Sequence, residues 1–172
     1  MDISALSAKQ LLKLHADIEG QLRKLNIISS ANNPAGDLAE TLFCKAFDWD
    51  RADKSQAHYD AKGKKDGLLY QIKCRRIVGD GSKGSRQLSA IRGLEQTQHF
   101  NVLAVVLFNE DYSVNRAAFI PHTVLLSLDR ERKHISFQKH TNSHRFLLVD
   151  DVWKVPGVRD VTAELMKAQE SM

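Results

Sequence analysis

The chain has 172 residues, is 42% hydrophobic and 27% charged, and carries a formal net charge of +4. Those values fit one domain around a single buried core and exclude a long disordered or low-complexity chain. The longest apolar run, "VLAVVLF", has seven residues, against the roughly 20 needed to cross a bilayer. No leader pattern opens the sequence, so a cytoplasmic protein without a membrane span is expected.

In chain order, Leu11, Leu14, Ile18, Leu22 and Leu25 recur at spacings of three and four. This predicts an amphipathic helix over residues 3–25. "NIISSANNP" reads as a loop. A second helix is predicted from Pro34, with Asn33 as cap, running "PAGDLAETLFCKAF". Its apolar stripe is Ala35, Ala39, Leu42, Phe43 and Ala46, and Glu40 lies on the flank of that stripe. "AHYDAK" predicts a strand, "GKKDG" a turn and "LLYQIKCRRIV" the returning strand of a hairpin. Alternation along that strand puts Leu69, Gln71 and Lys73 on one face, and Leu68, Tyr70, Ile72 and Cys74 on the other.

"GDGSKGS" reads as a glycine-rich loop, but it lacks the phosphate-cradling G-x-x-x-x-G-K-[ST] pattern. "RQLSAIRGLEQTQ" predicts a helix and "NVLAVVLF" a central strand. "NEDYSV" turns into "NRAAFIP", and a short helix follows near "HTVLLSL". "HISFQKH" and "HRFLLVD" read as a late strand pair, and "VRDVTAELMKAQ" as a closing helix. The order implies an α/β layout, a mixed sheet with helices on both sides. Within it, residues 1–30 form an N-terminal helix region, 34–125 the core, and 126–172 the late strands and helix.

Charge is concentrated rather than spread. Between Asp60 and Arg92 stand nine basic residues, Lys62, Lys64, Lys65, Lys73, Arg75, Arg76, Lys83, Arg86 and Arg92, against Asp60, Asp66 and Asp80. That stretch carries +6 and the remainder of the chain −2. A polyanion is the natural partner of such a patch, and a merely solvated face is the plainer alternative.

The hairpin brings Asp60 near the strand that presents Gln71 and Lys73. Aspartate and amide oxygens are hard ligands suited to Mg²⁺, and the Ile72 carbonyl can add a third. A lysine beside them can stabilise developing negative charge, and the preceding helix offers a further carboxylate in Glu40. Such a set, with a divalent ion, can hydrolyse a phosphodiester. The plain alternative makes Gln71 and Lys73 a solvent-facing strand edge and Asp60 a turn residue. Asp66 rivals Asp60, but its Asp-Gly context favours a turn. Arg75 and Arg76 alternate, so at most one points with Lys73.

The residues "GDLAETLFCKAF…YDAKGKKDGLLYQIKCRRI", with Asp60 followed by Gln71-Ile72-Lys73, resemble the PD-(D/E)xK nuclease superfamily over roughly 45 residues. The second acidic position is Gln, a D…QxK form similar to Mrr-like restriction enzymes, and Tyr59 stands where a proline often precedes the aspartate. The resemblance implies a restriction-endonuclease-like α/β/α core that cuts DNA with Mg²⁺, Mn²⁺ being a substitute. It implies Asp60 as metal ligand, Gln71 as the substituted second ligand, Lys73 as the catalytic lysine and Glu40 as the helix carboxylate. Lys62, Lys64, Arg75, Arg76, Lys83 and Arg86 are the candidate contacts to nucleic acid, expected to be double-stranded DNA. The expected activity is that of a restriction or defence endonuclease. The alternatives are a nuclease-like module that binds nucleic acid without cutting it, and a structural partner in a larger complex. Cutting both strands of a duplex would be simplest for a homodimer, and the Leu11, Leu14, Ile18, Leu22 stripe is a candidate surface for it.

Cys44 and Cys74 make no disulfide framework and read as half-buried apolar residues. His134, His140 and His144 fall within eleven residues without a zinc-ligand spacing. His58 lies closer to the constellation and reads as structural.

Overall fold

A computed structural model describes residues 2–29, 33–53, 58–79, 85–94 and 99–172. Among these, a six-stranded mixed sheet runs in the order β1 (Trp49–Arg51), β2 (Ala61–Gly63), β3 (Leu69–Arg76), β5 (Val102–Phe108), β6 (Val114–Pro121), β9 (Arg159–Asp160). The β3–β5 pair is parallel and every other neighbouring pair is antiparallel. A second sheet joins β4 (Ile91–Arg92), β8 (Ser143–Phe146) and β7 (Ile135–Gln138). The helices are α1 (Ala8–Lys24), α2 (Pro34–Phe47), α3 (His122–Arg130) and α4 (Thr162–Glu170). None is long and apolar enough to cross a membrane.

The apolar run of β5 is explained by burial on both sides. Ala104, Val106 and Phe108 face α2 and α4, whereas Leu103, Val105 and Leu107 enter a cluster with Leu125, Leu128, Ile91 and Phe146. Each such side chain removed from water contributes about 1.5–3 kcal/mol, which makes β5 the spine of the fold. Helices therefore lie on both sides, as expected, but the α3 side is covered largely by the small sheet.

α2 has the predicted bounds. Asn33 Oδ1 accepts a 3.0 Å bond from Ala35 N–H, and Pro34 occupies the first turn, where its missing donor costs nothing. The helix ends at Asp48, in the left-handed region at φ 55°. That turn leads straight into β1, a strand missed in the sequence because it is three residues long. Its anchor is Trp49, stacked on Tyr70 at 3.6 Å and on Phe43 at 5.8 Å.

The 63–67 turn is set by its residues. A Cβ at Gly63 would stand 2.0 Å from Asp66 Oδ1, and Gly67 has φ +69°. Asp66 accepts from Leu68 N–H at 2.9 Å and from the Tyr70 hydroxyl at 2.7 Å. The rival aspartate is therefore a turn residue.

Two expectations require correction. Residues 86–94 form no helix. Gln87 bridges Leu147, and β4 pairs with β8. Leu88, Ile91 and Leu94, all buried, are spaced by three; that spacing imitates a helix, but the chain here completes the small sheet. Positions 95–98 of that expectation, and 80–84 of the glycine-rich loop with Lys83, lie outside the described residues. The first helix begins later than expected, at Ala8, because Ser7 and Gln10 form a capping box there. None of its residues is buried, so its stripe does not pack on the core.

Candidate active site

β2 pairs with β3 only as far as Ala61 and Lys62. Immediately before them, Asp60 closes the ladder. Its N–H donates to the Tyr70 carbonyl at 2.8 Å, and its Oδ2 accepts from Ile72 N–H at 2.6 Å. A side-chain oxygen thus takes the place of the next backbone acceptor as the two strands part. N–H and C=O of one strand residue point to the same side, so the Ile72 carbonyl faces the side that β2 leaves.

Along β3, Tyr70, Ile72 and Cys74 pack into the core beneath α2. Gln71 and Lys73 point to the opposite face, as the alternation predicts, and line a cavity of about 600 Å³ with His58, Ser89, Arg92 and His99. Gln71 Oε1 is buried and has no hydrogen-bond partner among the described residues. An acceptor left without a partner in dry surroundings costs roughly 1–3 kcal/mol, so a donor or cation entering the cavity would be favoured there. Lys73 makes no hydrogen bond or ion pair with any described residue.

Glu40 reaches the same region from α2, on the other side of the sheet. Its Oε2 accepts from Arg51 Nε at 2.6 Å, and Arg51 Nη2 bridges Glu40 and Asp37, the latter at 3.1 Å. Burial, the largest influence, pushes the Glu40 carboxyl above its ordinary range. Arg51 opposes that shift, while the charges of Asp60 and Asp37 add to it. Glu40 and Asp60 are therefore electrostatic neighbours, with Asp60 at the strand junction, Glu40 on the helix side and Gln71 and Lys73 on the cavity side.

The oxygen set suits a hard divalent cation. One Asp60 oxygen is occupied by Ile72 N–H, which leaves the other, and the unpartnered Gln71 oxygen is what a ligand position requires. Arg51 supplies the positive charge beside Glu40 in this structure. Among the described residues no group of three or more His, Cys, Asp or Glu side chains is gathered as a metal site. Any cation held here relies on an amide and a backbone carbonyl beside the carboxylates.

The remaining basic residues divide by surroundings. Lys62 is exposed in the middle of β2. Lys64 is paired with Asp48 at 2.7 Å and Asp50 at 3.6 Å. Arg86 and Arg116 share Asp150, at 2.8 and 3.2 Å. Arg75 shares the face of Lys73, its Nε donating to the Ser85 carbonyl at 3.1 Å. Arg76 turns the other way and lies over the Tyr112 ring at 4.5 Å. Cys44 and Cys74 are half-buried, and burial pushes both thiols up to about 11.

Reasoning from sequence missed three features. Arg92 joins the cavity from the segment expected to be helical, His99 joins it from just beyond that segment, and Arg51 holds Glu40 from a strand too short to register. Only Arg92 left a trace, in the charge cluster.

A second cavity, of about 570 Å³, lies beside α3 and residues 151–156. Its charges neutralise one another, Lys133 with Glu131 at 2.8 Å and Lys154 with Asp151 at 2.9 Å, so it offers no comparable chemistry. No protein-family model matches the chain, and a search of curated proteins returns no match.

Proposed function

We propose that the chain is a metal-dependent nuclease that hydrolyses phosphodiester bonds of DNA, with Asp60, Gln71, Lys73 and Glu40 as its working residues. The observation that carries this reading is the buried Gln71 oxygen, without a hydrogen-bond partner among the described residues, in one cavity with Lys73 on the strand that Asp60 joins through Ile72 N–H. A strand edge serving only solubility has no reason to bury an unsatisfied amide. The mixed sheet, with α2 and α4 on one face and α3 on the other, is compatible with the restriction-endonuclease-like core that the D…QxK resemblance implies.

Asp60, Gln71 and the Ile72 carbonyl would hold Mg²⁺, with Mn²⁺ as a substitute, and Glu40 would add its charge from the helix side. When bound, such an ion lowers the pKa of water and neutralises charge on the phosphate. Asp60 is oriented for this by the Ile72 N–H, which fixes one of its oxygens. Lys73 faces the cavity and stabilises the negative charge that builds on the phosphate oxygens as water attacks. Gln71 supplies an oxygen without adding a third carboxylate charge, which limits like-charge repulsion between Asp60 and Glu40. Lys62, Arg75 and Arg92 contribute the field that draws in a polyanion.

Incubation of supercoiled plasmid with the protein and Mg²⁺ tests this. Nicking or linearisation that is abolished by EDTA and by Lys73→Ala is the expected outcome. Binding without cleavage under every metal condition would favour the module that holds nucleic acid without cutting it, to which the Arg51 pairing of Glu40 lends some support.

A further inference from the structure

The cavity around Gln71 and Lys73 has a wall for which phosphodiester hydrolysis has no evident use. The rings of His58 and His99 stack with centroids 3.8 Å apart and planes inclined by 40°. Both line the cavity, together with Ser89 and Arg92. The wall is built around a glycine: Gly93 has φ +69°, and a Cβ there would stand 3.1 Å from His99 Nδ1. A side chain at position 93 would both strain the backbone and crowd the imidazole.

Size argues as strongly as lining. At about 600 Å³ the cavity is in the range of pockets that take one small molecule. A double helix, whose major groove alone is about 12 Å wide, does not enter it. Gln71 Oε1 is buried, so a group that reaches it must come inside. Imidazole faces stack nucleobases, and an arginine fork beside a lysine suits a phosphate.

We infer that the cavity admits one unpaired nucleotide, its base on the His58–His99 pair and its phosphate between Lys73 and Arg92. The preferred substrate is then single-stranded or frayed at the point of contact, because a paired nucleotide must first be unstacked. This rests on the reading of a nucleic-acid substrate given above, and it replaces the intact duplex expected from the sequence.

Fluorescence anisotropy in EDTA tests it without requiring cleavage. The probes are a labelled single-stranded DNA oligonucleotide, an RNA of the same sequence and a blunt DNA duplex. Either single strand should bind about tenfold more tightly than the duplex, and the better of the two identifies the sugar. His58→Ala and His99→Ala should each weaken single-strand binding by about tenfold, the scale of one lost base stack. Duplex binding should be unchanged, and His58→Phe, which keeps a ring face, should retain single-strand affinity. Circular dichroism establishes that each variant is folded; if His99→Ala is not, the His58→Ala and His58→Phe pair decides. Equal or tighter binding of the blunt duplex, or a His58→Ala protein with wild-type single-strand affinity, overturns the inference. A wild type that prefers single strands but never cuts with Mg²⁺ overturns only the nuclease reading. Absence of nucleic-acid binding overturns both.

Discussion

The carboxylate of Asp60 accepts a 2.6 Å hydrogen bond from the backbone N–H of Ile72, in the ladder position that β2 vacates. On the nuclease reading, structure and chemistry meet in one side chain. One oxygen completes the sheet, and the other makes no hydrogen bond with a described residue. Asp60→Asn should preserve the acceptor for Ile72 and hold thermal stability near wild type, while abolishing plasmid cleavage. Asp60→Ala should also lose cleavage, and in addition cost about 1–3 kcal/mol through the orphaned N–H. Denaturant unfolding of the two variants, alongside a cleavage assay, checks the split. Equal stability of Asn and Ala variants would mean that the hydrogen bond contributes nothing.

Gln71 should show the opposite sign. Its buried oxygen has no hydrogen-bond partner among the described residues, so Gln71→Leu should leave stability unchanged or raise it by up to about 1–3 kcal/mol. The same substitution should abolish cleavage. Gln71→Glu should retain substantial activity with tighter divalent-ion binding, read by calorimetric titration with Mg²⁺ or Mn²⁺. A Leu variant that cuts like wild type removes Gln71 from the site.

Lys73 should act more on rate than on affinity. A contact made mainly in the transition state lowers turnover when lost and leaves binding largely intact. Lys73→Ala should therefore abolish cleavage while weakening oligonucleotide binding only by the loss of one phosphate contact. Parallel loss of both would make Lys73 a binding residue only.

The raised pKa of Glu40 has a definite sign. Burial favours the protonated carboxyl in the folded state, so the folded protein binds that proton more tightly than the unfolded chain does. Stability from this group is complete below the unfolded carboxyl value, about 4.3, and is lost as pH rises through the raised folded value. Glu40→Gln cannot lose a proton. Its melting temperature should therefore gain on wild type as pH rises from 4 toward neutrality, starting near the value of about 4.3 for a free glutamate. Thermal melts of both proteins across that range check this. A gap that narrows with rising pH would mean that Arg51 dominates the site.

Salt should weaken nucleic-acid binding with a slope of roughly −3 to −6 in log K against log salt, several phosphate contacts at about −0.9 each on B-DNA and about −0.7 each on a single strand. Lys62→Ala and Arg92→Ala should each flatten the slope by about one unit. Lys64→Ala and Arg86→Ala should flatten it less, since Asp48 and Asp150 already neutralise those side chains. Titrations at several salt concentrations distinguish the two pairs.

Much of this arrangement was legible before any coordinates. Local rules determined α2, because a cap, a proline and an apolar stripe coincide within 14 residues. They determined the turn at Asp66-Gly67, the two faces of β3 and the central strand β5, since each depends on alternation, turn chemistry or an unbroken apolar run. Hence Asp60, Gln71 and Lys73 could be named from the hairpin alone. Tertiary structure alone decided the rest. Ile91 became extended, and Leu88 N–H donates to the Phe146 carbonyl, because β8 offers backbone partners that no local signal encodes. Through that choice Arg92 and His99 came to stand beside Gln71 and Lys73, and Arg51, from a three-residue strand, came to grip Glu40. Spacing along a chain determines which face a side chain takes, but contacts between distant segments are chosen by which apolar surfaces and unpaired backbone groups remain to be covered.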